Sequence, residues 1–387
     1  MNTYFADFHI HIGRAMGRPV KIAAGASLTL ESLLFHAAFV KGLQVVTVID
    51  AACDHVLEEI AAQMAAGTLV PHVDGGLIYC DRLLVLLGAE VEIRGPHGGA
   101  AHFGCWLPTL CAATDFNRWL RTVQKNTQLS SQLARTDATT LARQTHERQG
   151  LLIVHHAFTP FKGALGSCVD QLIELLPLAD IDALELGLSS DTNMADRISE
   201  LQDITYLSNS DAHGLANIAR EYNEIELENL SFAEVARALH RIEGRRVQAN
   251  HGLHPEHGKY YRSRCRKCDQ IITSDGTGCA CPTSRHQVTG VWDRLQQLAD
   301  CPEPVHPAHR PPYHHQVPLA AIPGVGPAVY KRLIAAYGDE LAVLTNATEG
   351  DLTDVVGAKL AQTIYQAKCG DVQWQVGGAG RYGKLVI

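Results

Sequence analysis

The sequence predicts an α/β protein whose first 250 residues form one large unit. Short apolar runs alternate there with amphipathic stretches, which indicates buried strands that alternate with helices. Strands of this kind in this order favour a parallel sheet, either a barrel or a doubly wound sheet. The predicted strands cover residues 45–49, 83–90, 151–154, 183–186 and 205–208, and the first residues of the chain also read as a strand.

Helices are expected between these strands because apolar residues recur there at helical spacing. The predicted helices cover residues 30–41, 56–66, 139–149, 168–176, 192–201 and 232–244. Segment 124–140 is polar and weakly patterned, which is typical of either a mobile loop or a solvated helix. The first unit, residues 1–250, is therefore expected to be a complete α/β domain.

Three further segments follow this domain. Residues 251–301 contain a cluster of cysteines, and residues 302–318 are rich in proline and histidine, which is typical of a linker. Residues 319–387 are predicted to form a helical unit. Its expected helices cover residues 328–337, 339–345 and 358–368.

Composition favours a globular cytoplasmic protein that binds cations. The chain is 46% hydrophobic and has no apolar run long enough to span a bilayer, and its first residues do not resemble a signal peptide. Twenty histidines are many for 387 residues. The net charge of −8 is the sum of −10 in the first 250 residues and +2 in the remainder, so a polyanion is expected to dock on the C-terminal part.

Histidines and carboxylates recur near the ends of the predicted strands. The candidate metal ligands are His9, His11, Asp50, Glu90, His102, His156, Asp211 and His213. Alternation along a strand puts residues i and i+2 on one face, so His9 and His11 can reach the same ion. Side chains at the carboxyl ends of several strands meet at one mouth of a barrel. A single histidine at a strand end is more often structural, but agreement among five strand ends predicts a metal site.

Mixed imidazole and carboxylate ligands suit zinc, manganese or iron better than magnesium alone. A carboxylate such as Glu90 can bridge two cations, of which one activates water while the other neutralises phosphoryl oxygens. The expected cofactor is therefore a Zn²⁺ cluster, with Mn²⁺ or Mg²⁺ as alternatives at one position. The chemistry expected of this site is hydrolysis of a phosphate ester.

Several strings resemble known proteins. D-x-H-x-H at the start, an isolated glutamate after an apolar strand, and S-D-A-H near residue 211 are similar to the polymerase-and-histidinol-phosphatase (PHP) domain. The longer strings HHAFTPFKGALGS, ALELGLSSDTNMADRI and HPEHGKYY resemble the endonuclease Q family. This resemblance implies a distorted seven-stranded β/α barrel with a trinuclear metal centre. It also implies a metal-dependent DNA repair endonuclease that cuts on the 5-prime side of deaminated bases (uracil, hypoxanthine, xanthine) or abasic sites.

The resemblance also implies how the ligands divide among the ions. A first ion would be held by His9, His11, Glu90 and Asp211, a second by Glu90, His102 and His156, and a third by His213 with Asp50 or His55. Catalytic roles would belong to Glu90, Asp211 and His213. Many PHP proteins carry a further histidine shortly after the first pair, whereas Gly13 and Gly17 stand in that region of this chain.

The clustered cysteines predict a structural zinc site. Its candidate ligands are Cys265, Cys268, Cys279 and Cys281, with His286 or Cys301 as substitutes. Two close pairs of thiolates on either side of a turn can enclose a tetrahedral Zn²⁺. The alternative is a set of reduced cysteines without a ligand, which is common in cytosolic proteins.

Two features of the C-terminal part predict contacts with DNA, and the resemblance to endonuclease Q implies that this DNA contains damaged bases. Lys259, Arg262 and Arg264 are interleaved with tyrosines, which is typical of phosphate contact combined with base stacking. Gly324, Gly326 and Lys331 belong to a glycine turn that opens a helix and resembles a helix-hairpin-helix element. The alternatives are a solvated basic loop and a turn that merely joins two helices.

Two other functions are compatible with the metal motif. A small-molecule PHP phosphatase would need neither the cysteine cluster nor the glycine hairpin. A non-catalytic DNA-binding protein with a structural metal cluster would not need Glu90 for its function.

Overall fold

A computed structural model describes residues 1–272, 279–281, 286–370, 372–378 and 380–386. The zinc-module prediction for residues 251–301 thus falls partly outside the described residues. None of the helices in these ranges is both long and apolar enough to cross a membrane.

The main element of the fold is a large sheet. Its strands are β1 (Asn2–Ile10), β4 (Val45–Val48), β5 (Leu69–Pro71), β6 (Leu77–Tyr79), β7 (Leu83–Arg94), β8 (Ala100–Leu107), β9 (Leu151–Val154), β10 (Ala183–Glu185), β11 (Tyr206–Leu207), β12 (Tyr222–Leu227), β13 (Arg246–Leu253) and β16 (Tyr313–Gln316). The order across the sheet is β11-β10-β9-β8-β7-β4-β1-β12-β13-β16, with β5 and β6 attached beside β7.

Three short hairpins lie outside this sheet. They pair β2 (Arg14–Ala15) with β3 (Arg18–Pro19), β14 (Arg264–Cys265) with β15 (Gln287–Val288), and β17 (Gln373–Gln375) with β18 (Lys384–Val386).

The α/β class is confirmed, but the sheet is mixed rather than parallel. Strands β1, β4 and β7 are parallel to one another, as are β9, β10 and β11. Strand β8 runs antiparallel to both β7 and β9, and β12 runs antiparallel to β1 and β13. A short turn after β7 forces β8 to return beside it, because a parallel neighbour needs a crossover of a dozen or more residues.

The sheet curls into a half-barrel that brings its distant strands together. The Asn250 side chain in β13 donates to the Tyr206 carbonyl in β11 at 3.1 Å. At the end of β1, the backbone of Ile10 forms an isolated bridge with that of Ala212, and the His11 N–H donates to the Ala212 carbonyl at 3.1 Å. The carboxyl ends of the parallel strands therefore face one mouth.

The helices pack around this sheet and in the C-terminal part. They are α1 (Leu30–Phe35), α2 (Asp54–Ala65), α3 (Leu110–Val123), α4 (Ala138–His146), α5 (Thr192–Ala195), α6 (Phe232–Leu239), α7 (Val291–Leu298), α8 (Pro327–Tyr337), α9 (Glu340–Asn346), α10 (Glu349–Val356) and α11 (Ala358–Lys368). A π-helical turn, His36–Lys41, continues α1, so the predicted helix at 30–41 is present in two forms.

The helix predicted at residues 168–176 is wrong. The chain there forms a π-helical turn at Ala164–Cys168 and a single 3-10 turn at Leu172–Glu174. Side chains from elsewhere satisfy the backbone that a helix would have satisfied. The Glu200 carboxylate accepts from the N–H groups of Leu172 and Ile173, and Arg294 donates to the carbonyls of Leu165 and Val169.

Two other predicted helices are shorter than expected. The one at 192–201 is reduced to α5 and a 3-10 turn, Ser199–Leu201. The one at 232–244 ends as α6 at Leu239, and the 3-10 turn that follows it contains Glu243 at a positive φ of 52°.

Residues of the predicted linker 302–318 belong to the sheet. Strand β16 pairs in parallel with β13. Arg310 anchors the preceding segment, because it forms an ion pair with Asp196 at 3.0 Å and its guanidinium lies 3.4 Å from the centre of the Tyr206 ring. The boundaries at 250, 301 and 318 stay a prediction, although the sheet passes across the first of them within β13.

A buried ion pair joins the helical unit to the α/β domain. Lys41 Nζ lies 2.5 Å from Glu340 Oε2, and both side chains are almost fully buried. Glu340 also accepts from the Tyr330 hydroxyl at 2.6 Å and from the Leu319 N–H at 3.1 Å. The carboxylate thus connects α8, α9 and the start of the helical unit to a single lysine of the first domain.

Glu221 makes stability depend on pH. Burial raises the pKa of this carboxyl from 4.5 to about 8, and its main contact is the Leu253 N–H at 2.9 Å. The folded protein therefore holds a proton that the unfolded chain releases. The stabilising contribution is complete below about pH 4.5 and is lost as the pH rises through 8.

We expect Glu221→Gln to gain stability relative to the wild type as the pH rises from 5 to 8, and the difference should level off above pH 8. The gain should approach about 1.4 kcal/mol for each pH unit, because glutamine keeps the shape without ionising. Urea unfolding of both proteins across this range measures the difference. Parallel stability curves for the two proteins would contradict the assignment.

Candidate metal centre

The centre is built on the end of β1. His9 and His11 are fully buried, and their Nε2 atoms lie 3.3 Å apart. A carboxylate holds the other nitrogen of each ring: Glu185 Oε2 lies 2.8 Å from His9 Nδ1, and Asp50 Oδ1 lies 3.0 Å from His11 Nδ1. These contacts fix both rings so that the two Nε2 atoms face the same space.

Glu90 lies at the middle of the centre. Its Oε1 atom is 3.0 Å from His102 Nδ1, 3.4 Å from His9 Nε2 and 3.5 Å from His156 Nε2. The buried His102 Nδ1 has no hydrogen-bond partner among the described residues, although it faces this oxygen. A nitrogen in that position, facing a shared carboxylate, is suited to binding a cation.

Strand β7 places Glu90 differently from the prediction. Glu90 does not end its strand, because β7 continues to Arg94, and His102 lies within β8 opposite Glu92. The backbone of Glu90 lies beside the end of β4, since its N–H donates to the Ile49 carbonyl at 3.0 Å. Both residues still point into the mouth.

The loop after β11 brings Asp211 and His213 to the same place. Asp211 Oδ1 lies 3.4 Å from His11 Nε2 and 3.5 Å from His213 Nδ1. Asp7 fixes this loop by accepting from the N–H groups of Ser210 and Ala219. Asp211 has a φ of 45°, and His156 a φ of 29°. Such backbone strain at non-glycine residues clusters at functional sites.

Four groups of side chains in this centre could each hold a metal ion. In each group the candidate ligand atoms lie within 4.8 Å of one another. The groups are His9, His11 and Glu90; Glu90, His102 and His156; His11, Asp211 and His213; and His9, His155 and Glu185. Their imidazole nitrogens and carboxylate oxygens fit divalent transition metals.

Electrostatics keep the carboxylates ionised. Burial would raise the pKa of Glu90, but His102, Lys21 and His155 hold it well below its ordinary value. Asp211 behaves in the same way: burial opposes ionisation, but His9 and His11 hold its pKa well below the ordinary range. Ionised carboxylates are the form that binds cations.

Burial keeps two of the imidazoles neutral. It lowers the pKa of His155 and of His213 to about 4 each. His155 packs against His9 with ring centres 4.0 Å apart, in space that Gly104 leaves open, since a Cβ on that glycine would lie 2.1 Å from His155 Nε2. A neutral imidazole is the form that ligates a metal.

The third ligand set implied by the sequence is not assembled as expected. Both oxygens of Asp50 face His11 Nδ1, and Oδ2 also accepts from the Ile12 N–H at 2.7 Å. His55 lies near Arg18 and Glu58, at 3.4 and 3.5 Å. Asp50 therefore orients a candidate ligand, and neither residue joins His213 in a group of possible ligands.

Four residues of the centre were not identified from the sequence. Glu185 was missed although it lies next to the end of the predicted strand 183–186, a signal similar to the one that identified Asp50 and Glu90. Lys21 donates to Glu90 at 2.9 Å, and the Ser130 and Ser131 hydroxyls hydrogen-bond Asp50 and Glu90. The two serines lie in the polar segment 124–140, where residues 124–137 are not helical, so no periodic pattern marked them.

We expect Glu185→Gln to weaken metal binding by about 10- to 100-fold, because His9 would lose the carboxylate that fixes its ring. Isothermal titration of the metal-free protein with Mn²⁺ measures this change. Glu226→Gln, an exchange near the C-terminal end of β12, is the matched control and should bind as the wild type does. Equal affinity of the Glu185 variant and the control would show that Glu185 does not support His9.

The four predicted zinc ligands also lie together. The sulfur atoms of Cys265, Cys268, Cys279 and Cys281 are within 4.8 Å of one another, and those of Cys268 and Cys279 are 3.5 Å apart. The backbone N–H of Cys268 lowers the pKa of Cys265 to about 6. A thiolate at neutral pH is the form that binds zinc.

A cavity of about 460 Å³ adjoins the centre. His156, Asp211 and His213 form part of its wall, and Arg220, Lys259, Tyr260 and Tyr382 form another part. Arg220 donates to the Tyr382 hydroxyl at 2.9 Å, and Lys259 Nζ lies over the rings of Tyr260 and Tyr382. The cavity thus has metal-ligand candidates on one side and cationic and aromatic groups on the other.

The other residues predicted to contact DNA differ in whether they are paired with acidic side chains or exposed. Arg262 and Arg264 form ion pairs with Asp293 and Asp269, each at 3.4 Å. Gly324, Gly326 and Lys331 are exposed. Gly324 has a φ of 91°, and Gly326 immediately precedes α8. The exposed turn leaves backbone N–H groups at a helix start, where an anion can bind.

The curled α/β sheet and its cluster of histidines and carboxylates define a metal-dependent hydrolase. No protein-family model matches the chain. The uncharacterized protein YqxK of Bacillus subtilis is 40% identical over 388 residues, which cover both proteins completely. The uncharacterized protein MJ0043 of Methanocaldococcus jannaschii is 33% identical over 253 residues, which are 60% of this chain and 31% of that protein.

Two solved structures match the whole chain. The lesion-specific endonuclease PfuEndoQ from Pyrococcus furiosus has a TM-score of 0.85 and 28% identity, with 100% of this chain and 96% of that chain covered. Endonuclease Q in complex with a 27-mer duplex substrate with an abasic lesion at the active site has a TM-score of 0.86 and 28% identity, with coverages of 100% and 97%. The chain belongs to the endonuclease Q family.

Proposed function

We propose that this protein is a DNA repair endonuclease that uses a multinuclear metal centre to hydrolyse a phosphodiester. The substrate would be DNA cut on the 5-prime side of deaminated bases (uracil, hypoxanthine, xanthine) or abasic sites. The observation that carries the proposal is the convergence of imidazoles and carboxylates on Glu90 beside a cavity lined by cationic and aromatic side chains. The full-length likeness to endonuclease Q with a lesion-containing duplex supports DNA as the substrate.

His9, His11, Glu90, His102, His156, Asp211 and His213 would hold the ions, with Zn²⁺ as the expected metal and Mn²⁺ or Mg²⁺ as alternatives at one position. Bound divalent ions lower the pKa of water and stabilise charge on phosphoryl oxygens. Glu90 would bridge two ligand groups, and Asp211 and His213 would complete the side of the centre that opens into the cavity. Glu185 and Asp50 would hold the two imidazoles of β1 in place.

The cavity would admit the damaged nucleotide. Extruding a nucleotide from a duplex costs least where the base is mispaired, damaged or missing, which provides selectivity for lesions. Tyr260 and Tyr382 offer ring faces for stacking, and Lys259 and Arg220 offer charges for a phosphate. Access to the metal centre would thus depend on a nucleotide that leaves the duplex.

The rest of the C-terminal part would hold the duplex. Arg266, whose guanidinium lies 4.8 Å from the centre of the Phe161 ring, and the exposed Lys267 extend the basic side of the mouth. The turn at Gly324 and Gly326, with Lys331, would bind the backbone in the manner of a helix-hairpin-helix element. The cysteine group would bind a structural Zn²⁺ that fixes this basic segment.

The test is cleavage of end-labelled duplexes by the metal-loaded full-length protein. Duplexes that contain one deoxyuridine, deoxyinosine, deoxyxanthosine or abasic site should be nicked at the 5-prime side of the lesion, and the undamaged duplex should not. Chelation should abolish nicking, and added Zn²⁺ or Mn²⁺ should restore it. Histidinol phosphate and p-nitrophenyl phosphate serve as small-molecule controls.

Absence of a nick on every damaged duplex, with each divalent metal supplied, would contradict the proposal. Rapid hydrolysis of a small phosphate ester without any nicking would favour a small-molecule phosphatase instead. Tight binding to a lesion without cleavage would favour a non-catalytic DNA-binding protein.

A further inference from the structure

Lys21 contributes a positive charge inside the metal centre. Its side chain is only 14% exposed, and its Nζ atom lies 2.9 Å from Glu90 Oε2 and also contacts the Ser131 hydroxyl. The Lys21 N–H donates to the Ile12 carbonyl at 3.0 Å. The backbone of Lys21 therefore lies directly beside the segment that carries His9 and His11. Ser131 in turn donates to Glu90 Oε2.

The two oxygens of Glu90 have different surroundings. Oε1 faces the imidazoles of His9, His102, His155 and His156. Oε2 faces the ammonium group and a hydroxyl, with His11 Nε2 farther away at 3.7 Å. One oxygen is therefore surrounded by candidate metal ligands, whereas a fixed cation already occupies part of the space around the other.

No side chain completes a further ion site on the Lys21 side among the residues described. Asp50 is already hydrogen-bonded to His11, Ile12 and Ser130. His55 points towards Arg18 and Glu58. The group of His11, Asp211 and His213 shares His11 with the group around Glu90. The charge that balances the carboxylates on that side is the lysine.

We propose that Lys21 is a positioning residue whose ammonium group takes the place of one metal ion, so that the histidine–carboxylate centre binds two divalent ions instead of three. The inference rests on the metal centre of the proposed function. It does not depend on the identity of the substrate. Lys21 then neutralises the charge on Glu90 Oε2 and repels an ion that approaches from its side.

Metal binding distinguishes this role from a purely structural one, because the two roles predict opposite changes in metal affinity when Lys21 is replaced. Loss of a structural contact would loosen Glu90 and weaken metal binding. Loss of a like charge beside the ions would strengthen it, because repulsion between cations a few ångströms apart in a partly buried site is large. The variant Lys21→Met removes the charge and keeps most of the length, whereas Lys21→Arg keeps the charge.

The experiment is isothermal titration of the metal-free, full-length protein with Mn²⁺, in the absence of DNA. Mn²⁺ is chosen because thiolate ligands favour softer ions, so the cysteine group contributes little. We expect two Mn²⁺ ions per wild-type chain. Lys21→Met should bind Mn²⁺ about tenfold more tightly or more, and Lys21→Arg should bind as the wild type does.

Lys21→Gln provides a second neutral variant that can still donate to Ser131, and it should also bind more tightly, so the test stands if the methionine variant does not fold. Three ions on the wild type, or unchanged or weaker binding by the folded neutral variants, would overturn the proposal. Failure of the nicking assay alone would leave this result unaffected, since no nucleic acid is present in the titration.

Discussion

Glu90→Gln should reduce lesion-dependent nicking by about 10³-fold or more. Glu90 belongs to two groups of candidate ligands, and its Oε1 lies within 3.5 Å of four imidazoles. Glutamine keeps the shape but loses the charge that binds cations. The loss of several kcal/mol of transition-state stabilisation corresponds to at least about a thousandfold in rate.

Single-turnover cleavage of a duplex with one abasic site measures this effect, and elemental analysis of the same samples measures metal content. The control Glu226→Gln should retain wild-type rates and metal. Because Glu90→Gln removes the charge that pairs with Lys21, its melting temperature without metal should fall, so the rates are compared at a temperature at which both proteins are folded. Wild-type nicking by folded Glu90→Gln protein would rule out this glutamate as a ligand of the catalytic centre.

Lys41→Met should destabilise the folded protein by about 3–5 kcal/mol. The substitution leaves the Glu340 carboxylate buried without its cation, while the Tyr330 hydroxyl and the Leu319 N–H remain. An unpaired buried charge costs far more than an exposed one. The helical unit should therefore detach before the α/β domain unfolds.

Urea unfolding and limited proteolysis measure this destabilisation. The double variant Lys41→Met/Glu340→Gln is compared with the single variant. It removes both charges and should therefore recover much of the lost stability. Arg246→Met, which breaks the more exposed pair with Glu226, should cost no more than about 1 kcal/mol. Equal stability of Lys41→Met and Arg246→Met would contradict a locking role for the buried pair.

The sequence predicted the α/β class and six of the twelve strands described in the large sheet, because apolar runs have a clear length and period. The helix at residues 358–368 was predicted within its observed bounds, Ala358–Lys368. The helix at 168–176 was not formed because Glu200 and Arg294 satisfy its backbone, and such distant partners leave no periodic signal. The antiparallel insertion of β8 was missed for a similar reason, since strand direction depends on pairing rather than on local pattern.

The candidate ligands were more predictable than their supports. A histidine or carboxylate next to an apolar strand is visible in the sequence, and the predicted ligands other than Asp50 and His55 fall in groups of converging atoms. Lys21, Ser130 and Ser131 come from segments without regular structure, and only the fold shows that they reach Glu90 and Asp50. Asp50 illustrates the limit: its position at a strand end was expected, but its contact with His11 Nδ1 depends on ring orientation.

Anomalous X-ray diffraction from crystals grown with Mn²⁺ tests the central claim most directly. We predict strong peaks within the group of His9, His11 and Glu90 and within the group of Glu90, His102 and His156, so that the glutamate carboxylate lies between them. A map with full side-chain density and no anomalous peak near Glu90 would contradict the account, because the hydrolytic centre would then have no ion to bind.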